Sequence, residues 1–421
     1  MSTVIGTTPG DALAAPAGAA ARVRLAAPLR RRSFRLIWIG GTAAVLGDQL
    51  SFVALAWLAL QLTGSTLTLG ALLMAAALPR AAFILIGGAV TDRLSARTVA
   101  VRASVVRVVA MGLLATLVIT QHAILFEVFL LALCFGIADA FYLPAQMALV
   151  PLTVEPDELE AANSLAQTGQ SVGMLVGPGL GGVVVALLGT GYGFVIDAAG
   201  FAVVAATTLA LPRRALAGVA PAASPGLRTA LFAGLRYVID RPALRALLFV
   251  SAAVSVAALG PVDVGLADLA RLRLGGPAAL GWLLSGFAAG SVAGSIASGV
   301  RGRGRLAPML IAVGVTMGAG MPALALASHV GVALAITIAI GLVSGYISVA
   351  ALAAIQRHVE PGLMGRVLSV FQFASVGLAP LSLAVAGVLA QTSLLLLFAV
   401  SGGLVLAATL AGCATREIRA L

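Results

Sequence analysis

The chain has 421 residues, 61% of them hydrophobic and only 10% charged, with a mean hydropathy of +1.09. That balance excludes soluble enzymes and soluble binding modules of this length and leaves a polytopic membrane protein. The net charge of +11 is carried by arginines; in a soluble chain it would suggest nucleic acid, but in this one it points to cytoplasmic loops facing anionic lipid.

Residues 1–33 read as a disordered cytoplasmic tail, rich in Ala, Gly and Pro and ending in Arg30, Arg31 and Arg32. Six apolar runs follow at about 34–62, 66–90, 98–120, 124–150, 161–188 and 192–211. A basic linker, 212–242, carries Arg213, Arg214, Arg228, Arg236 and Arg241. Within it, residues 228–240 read as an interfacial helix with Leu231, Leu235 and Val238 on one face. Six more runs follow at about 243–267, 277–299, 306–328, 330–356, 363–390 and 393–413, and 414–421 form a short tail. Each run is long enough to cross a bilayer. Val154-Glu155-Pro156 recurs as Val359-Glu360-Pro361 about half a chain later. The fold class is therefore all-α integral membrane, with twelve transmembrane helices in two pseudo-symmetric six-helix halves, 34–211 and 243–413.

Loop charge sets orientation. With both termini cytoplasmic, Arg271 and Arg273 fall outside, Arg80 lies within a span, and the other arginines lie on the inner side or its edge. Cys134 and Cys413 are too separated in the pattern to suggest a disulfide, and no His/Cys cluster suggests a metal. No cofactor is expected.

Gly173–Gly182, GMLVGPGLGG, permits three readings. Gly177-Pro178-Gly179-Leu180-Gly181-Gly182 has the spacing of a dinucleotide loop, and Gly169–Gly173 that of a nucleophile elbow. Both need a preceding strand, whereas this stretch sits inside a long uncharged run, and Ser171 has no intramembrane histidine to serve it. The third reading is a helix face of small residues that lets another backbone approach, bent at Pro178. Gly286, Gly290 and Gly294 make a similar face in the eighth run, and the two are expected to pack across the boundary between halves.

Gly88-Ala-Val-Thr-Asp92-Arg93-Leu-Ser-Ala-Arg97, between the second and third runs, resembles the loop motif of the major facilitator superfamily. Gly173, Gly177, Pro178, Gly181 and Gly182 resemble that superfamily's antiporter motif. Gly47-Asp48 through Trp57 to Leu62-Thr63-Gly64-Ser65, then Leu78-Pro79-Arg80 and Gly87-Gly88, resemble the branch of macrolide-efflux pumps and enterobactin exporters. The loop Arg301-Gly-Arg303-Gly-Arg305 has no acid, so the second half lacks a full copy of the first loop motif. The resemblance implies a cell-membrane transporter acting on a small amphipathic molecule, with protons as the coupling ion; a monomer in contact with anionic lipids, with no nucleic-acid partner, is expected.

Charges at mid-membrane need a reason. Asp48, Arg80 and Asp139 are the candidates for proton coupling, and the resemblance implies that Asp48 and Asp139 face a central cavity. A poorly solvated carboxylate takes up a proton more readily, and a nearby arginine opposes this. Movement of Arg80 relative to Asp48 would then change proton affinity between states; a static Asp48–Arg80 pair is the plainer alternative. The second half offers no comparable mid-span charge, so Ser344, Tyr346, Ser348 and Gln372, with Gln146 from the first half, are the substrate-cavity candidates. Glu127, Asp197 and Asp263 are expected near the outer face in water or as caps. Asp157, Glu158 and Glu160 are helix-start acids that could pair with Arg93 or Arg97. Gly88, Asp92, Arg93 and Arg97 form the expected conformational gate, with Asp92 capping the eleventh span near Gly362–Gly365. The leading expectation is proton-coupled efflux; uptake or lipid-like movement on the same fold, a membrane enzyme and a non-transporting sensor are the alternatives.

Overall fold

The structure is a computed structural model that describes residues 26–212, 234–301, 306–360 and 363–415, apart from a few side chains. Among the described residues, twelve helices are long and apolar enough to cross a membrane. In the first half they are α1 (Arg32–Thr63), α2 (Thr66–Leu94), α3 (Ala96–Ile119), α4 (Leu125–Leu149), α5 (Leu159–Leu188) and α6 (Thr190–Leu209). In the second half they are α7 (Pro242–Leu272), α8 (Pro277–Arg301), α9 (Leu306–Leu326), α10 (Val330–His358), α11 (Met364–Thr392) and α12 (Leu394–Ala414).

The short connections follow from local chemistry. Gly64 ends α1 in the left-handed region at φ 64°, and its N–H returns to the Leu60 carbonyl. Ser65 then caps α2 by accepting from the Thr68 N–H. Ser393 caps α12 in the same way, accepting from the Leu396 N–H. These hairpins lie at one end of the bundle; the described chain ends, near residues 26 and 415, lie at the other. Ser95, at φ 82°, is the whole turn between α2 and α3.

Two helices depart from a plain span. In α7 the α-helix Pro242–Gly260 passes through a π-turn, Pro261–Gly265, before Leu266–Leu272 completes it. In α11 the helix is interrupted at Leu378, between Met364–Gly377 and Ala379–Thr392. Pro261 and Pro380 each remove a backbone donor near these breaks.

Within the halves, α1 packs on α5 and α6, α2 and α3 on α4, α8 on α10, and α9 on α12. Between halves the principal contacts are α5 with α8 and α2 with α11. The expected α5–α8 meeting is present, but through other glycines. Gly173, Gly177 and Gly181 face Val45, Gln49 and Leu50 of α1. Gly286, Gly290 and Gly294 face Leu334, Ile338 and Leu342 of α10. The crossing is made by Gly182 and Gly281: a Cβ on Gly182 would lie 2.6 Å from the Pro277 carbonyl oxygen, and one on Gly281 would strike the Pro178 carbonyl. The four-residue glycine faces thus serve packing inside each half. A register one residue over carries the seam.

The α2–α11 crossing is similar. Gly70 lies against the Leu383 carbonyl and Gly387, and the Thr66 hydroxyl donates to the Gly387 carbonyl at 3.3 Å. Both crossings lie toward the hairpin end, where the halves close on each other.

In the linker, residues 234–239 are helical and pack on the second half; Arg228 and Leu231 lie outside the described residues. Val238 is fully buried among Leu244, Val359 and Val367, whereas Leu235 is exposed, so these two do not share the buried face. The Arg303 loop and the terminal tails also lie outside the described residues.

Candidate functional site

The centre of the site is Arg107, a residue the sequence reading left on the inner edge. It lies midway along α3 and is fully buried. Its guanidinium is sandwiched between aromatic rings, with its central carbon 3.5 Å from the Phe201 centroid and 4.0 Å from that of Phe135. One terminal nitrogen donates to Asp139 Oδ1 at 2.8 Å and the other to Asp48 Oδ1. Arg80 reaches the second oxygen of Asp139, with Nε 3.1 Å from Oδ2. The expected direct Asp48–Arg80 pair is therefore replaced by a chain, Asp48–Arg107–Asp139–Arg80. Four helices, α1, α3, α4 and α2, each contribute one member.

The chain balances two acids against two arginines. Such balance is what allows four charges to sit away from bulk water. The two arginines differ in access. Arg107 is sealed, while the Arg80 side chain is 43% exposed and that of Asp48 32%. Arg107 thus fixes the carboxylates, and Arg80 and Asp48 are reached from the cavity.

That cavity has a volume of about 850 Å³. Asp48, Arg80, Asp139 and Gln146 line it, as do Gln49, Asn163, Gln167 and Gln170. Its wall runs from mid-membrane to the helix ends at Phe34, Val150 and Asn163, away from the closed hairpin end. From the second half, Leu259, Asp263, Ala379 and Leu383 contribute. Ser344, Tyr346, Ser348 and Gln372 are not among the described lining residues. The Ser344 and Ser348 hydroxyls donate back to the carbonyls of Ile340 and Ser344 in their own helix. Gln372 is exposed elsewhere.

The acids expected near water divide. Glu127 does cap α4, accepting from the Ile124 N–H at 3.3 Å. Asp197 is fully buried against Gly47, and among the described residues neither of its oxygens meets a hydrogen-bond partner at bonding geometry. Asp263 lines the cavity, so the second half does supply an acid at this site. Depth along a helix locates a residue between the membrane faces but says nothing about which neighbours cover it.

At the loop motif between α2 and α3, no described atom lies within 4 Å of where a Cβ on Gly88 would sit, and Arg93 is exposed. Arg97 donates to the Leu209 carbonyl at the end of α6, at 2.5 Å, neutralising an orphan helix carbonyl. The Asp92 side chain and residues 361–362 lie outside the described residues, as does the proposed cap between them. Among the described residues, the acids beyond α4 pair with neither Arg93 nor Arg97. Glu155 and Glu158 hold Arg31 instead, at 3.1 and 2.5 Å. Glu360 holds Arg241 at 3.2 Å. Arg31 and Arg241 stand just before the first helix of each half, so the repeated Val-Glu-Pro loop makes the same ion pair twice.

Two halves of six helices around a central cavity, closed at one end, define a transporter of the major facilitator fold. Solved structures agree. The nucleoside transporter NupG superposes with a TM-score of 0.70 at 14% identity, over 91% of this chain and 98% of that one. A bacterial homologue of the iron transporter ferroportin, in an inward-facing state, gives 0.66 at 17% identity over 91% and 99%. Residues 24–420 match the transmembrane secretion effector family, and the chain belongs to it. The chain is 29% identical to the multidrug efflux pump Tap of Mycolicibacterium fortuitum over 377 residues, covering 86% of this chain and 90% of Tap. It is 31% identical to an uncharacterized transporter, y4rN, of Sinorhizobium fredii over 294 residues, covering 68% and 70%. It is a multi-pass membrane transporter of small molecules, not an enzyme.

Proposed function

We propose that the protein exports small amphipathic molecules in exchange for protons, with both termini cytoplasmic. The observation that carries this reading is the Asp48–Arg107–Asp139–Arg80 chain, buried in its middle at Arg107 and Asp139 and open to the cavity at both ends. Similarity to an efflux pump supports the direction. In this orientation the cavity faces the cytoplasm and the α5–α8 and α2–α11 seams close the outer side.

A proton arriving on Asp48 or Asp139 removes one of two negative charges and leaves the arginines in excess. Arg107 is sealed between aromatic rings, so Arg80, with its exposed side chain, is the group free to move away. Moving it changes how α2 sits on α4, and α2 carries the seam to α11. Protonation is thereby linked to the contact between halves. The loop at Gly88, Arg93 and Arg97 braces the same helix on the inner side. Gln146 and the other cavity amides supply hydrogen bonds, and the apolar wall accepts the substrate's body.

The test is transport of a mixed compound panel by reconstituted protein, with and without an imposed pH gradient. Proton-coupled export predicts accumulation against the compound's gradient only when the pH gradient is present. Equal movement with and without it would contradict the proposal.

A further inference from the structure

The π-turn of α7 has a visible cause. In a regular helix the Gly260 N–H would donate to the Val256 carbonyl. Here the Ser382 hydroxyl of α11 stands between them. It accepts from the Gly260 N–H at 2.7 Å and donates to the Val256 carbonyl at 2.5 Å. Pro261 follows and has no N–H to continue the ladder. A side chain inserted into the backbone ladder, next to a proline, is a physical reason for a helix to open. The opened turn carries Asp263 to the cavity wall. Single π-turns inside α-helices occur frequently at functional sites.

Asp263 differs from the other cavity acids. Asp48 and Asp139 are matched by Arg107 and Arg80. Among the described residues, Asp263 has no hydrogen-bond or ion-pair partner. It faces a largely apolar space across from acids that already have arginine partners. The complement of that surface is an apolar body bearing one positive charge.

We propose that Asp263 is a substrate-specificity residue that takes the positive charge of a lipophilic organic cation, and that Ser382 positions it by holding the α7 turn open. The proposal rests on the export reading for its substrate-facing cavity. It names the chemical class bound there and assigns the second half's contact.

The probes are tetraphenylphosphonium, permanently charged, and triphenylphosphine oxide, a neutral aromatic. Equilibrium binding of both to the purified full chain gives an affinity ratio. Wild type favours the cation. In Asp263→Asn the ratio falls about tenfold, the scale of losing one close charge–charge contact, and Asp263→Glu restores much of it. Ser382→Ala lowers the ratio about threefold with the acid intact, because the direct Gly260–Val256 bond can form again. An unchanged ratio in Asp263→Asn, or no cation preference in wild type, overturns the proposal. Thermal unfolding of each variant separates a misfolded chain from a changed site. The binding ratio needs no gradient, so its failure is distinct from a failure of proton-coupled export, which would appear as gradient-independent transport with the ratio preserved.

Discussion

Arg107 and Asp139 meet at 2.8 Å in the interior of the first half, with the arginine fully buried and the acid nearly so. Aromatic rings hold the arginine's faces, so it cannot follow a substrate into the cavity. Removing it strands two carboxylates. Arg107→Leu is expected to cost about 3–5 kcal/mol, the range for breaking a buried ion pair from one side. Arg107→Lys keeps the charge but not the fork that serves two acids, and is expected to lose less. Thermal unfolding in detergent checks the order wild type, Lys, Leu; a Leu variant as stable as wild type would remove Arg107 from the centre of the network.

Glycines at the seam and glycines inside a half should fail differently. A side chain at Gly182 or Gly281 presses on the facing backbone of the other half. Gly182→Leu is therefore expected to open the hairpin end and raise labelling of cysteines placed beside it, with little loss of stability. Gly290 faces the Ile338 carbonyl within the second half. Gly290→Leu is expected to destabilise by about 1–3 kcal/mol through overpacking, without opening the seam. Labelling and unfolding measured on both variants distinguish the two effects.

The paired ion contacts of the repeated loop should be weak. Arg31 and Glu155 are well exposed, as are Arg241 and Glu360. Glu360→Gln is expected to cost less than about 1 kcal/mol, diminishing further in salt. Glu158 is more covered and bonds Arg31 closely, so Glu158→Gln is expected to cost more than Glu155→Gln. Unfolding at two salt concentrations tests both.

The twelve spans were legible because a bilayer demands long apolar runs and short polar turns, and this chain supplies both. Asp48, Arg80 and Asp139 stood out for the same reason. Arg107 was legible by the same depth argument but was absorbed into the arginine-rich start of the third run. Its partners were not legible, since which face of α3 turns inward depends on packing with α1 and α4. Asp197 and Asp263 lay at the expected distance from the hairpin end, yet one is covered by α1 and the other is turned into the cavity by a serine 119 residues away in sequence, on α11. The glycine faces announced close packing, but the partner helix depended on which side of each face looked outward from its half.

The central claim is that the arginine-paired acids of the first half, Asp48 and Asp139, couple protons to substrate movement. It is tested most directly by recording pH inside proteoliposomes while substrate is transported by wild type, Asp48→Asn and Asp139→Asn. The account predicts substrate-driven proton movement in wild type and its loss in both variants, with substrate still bound. Wild-type proton movement in both variants would contradict it.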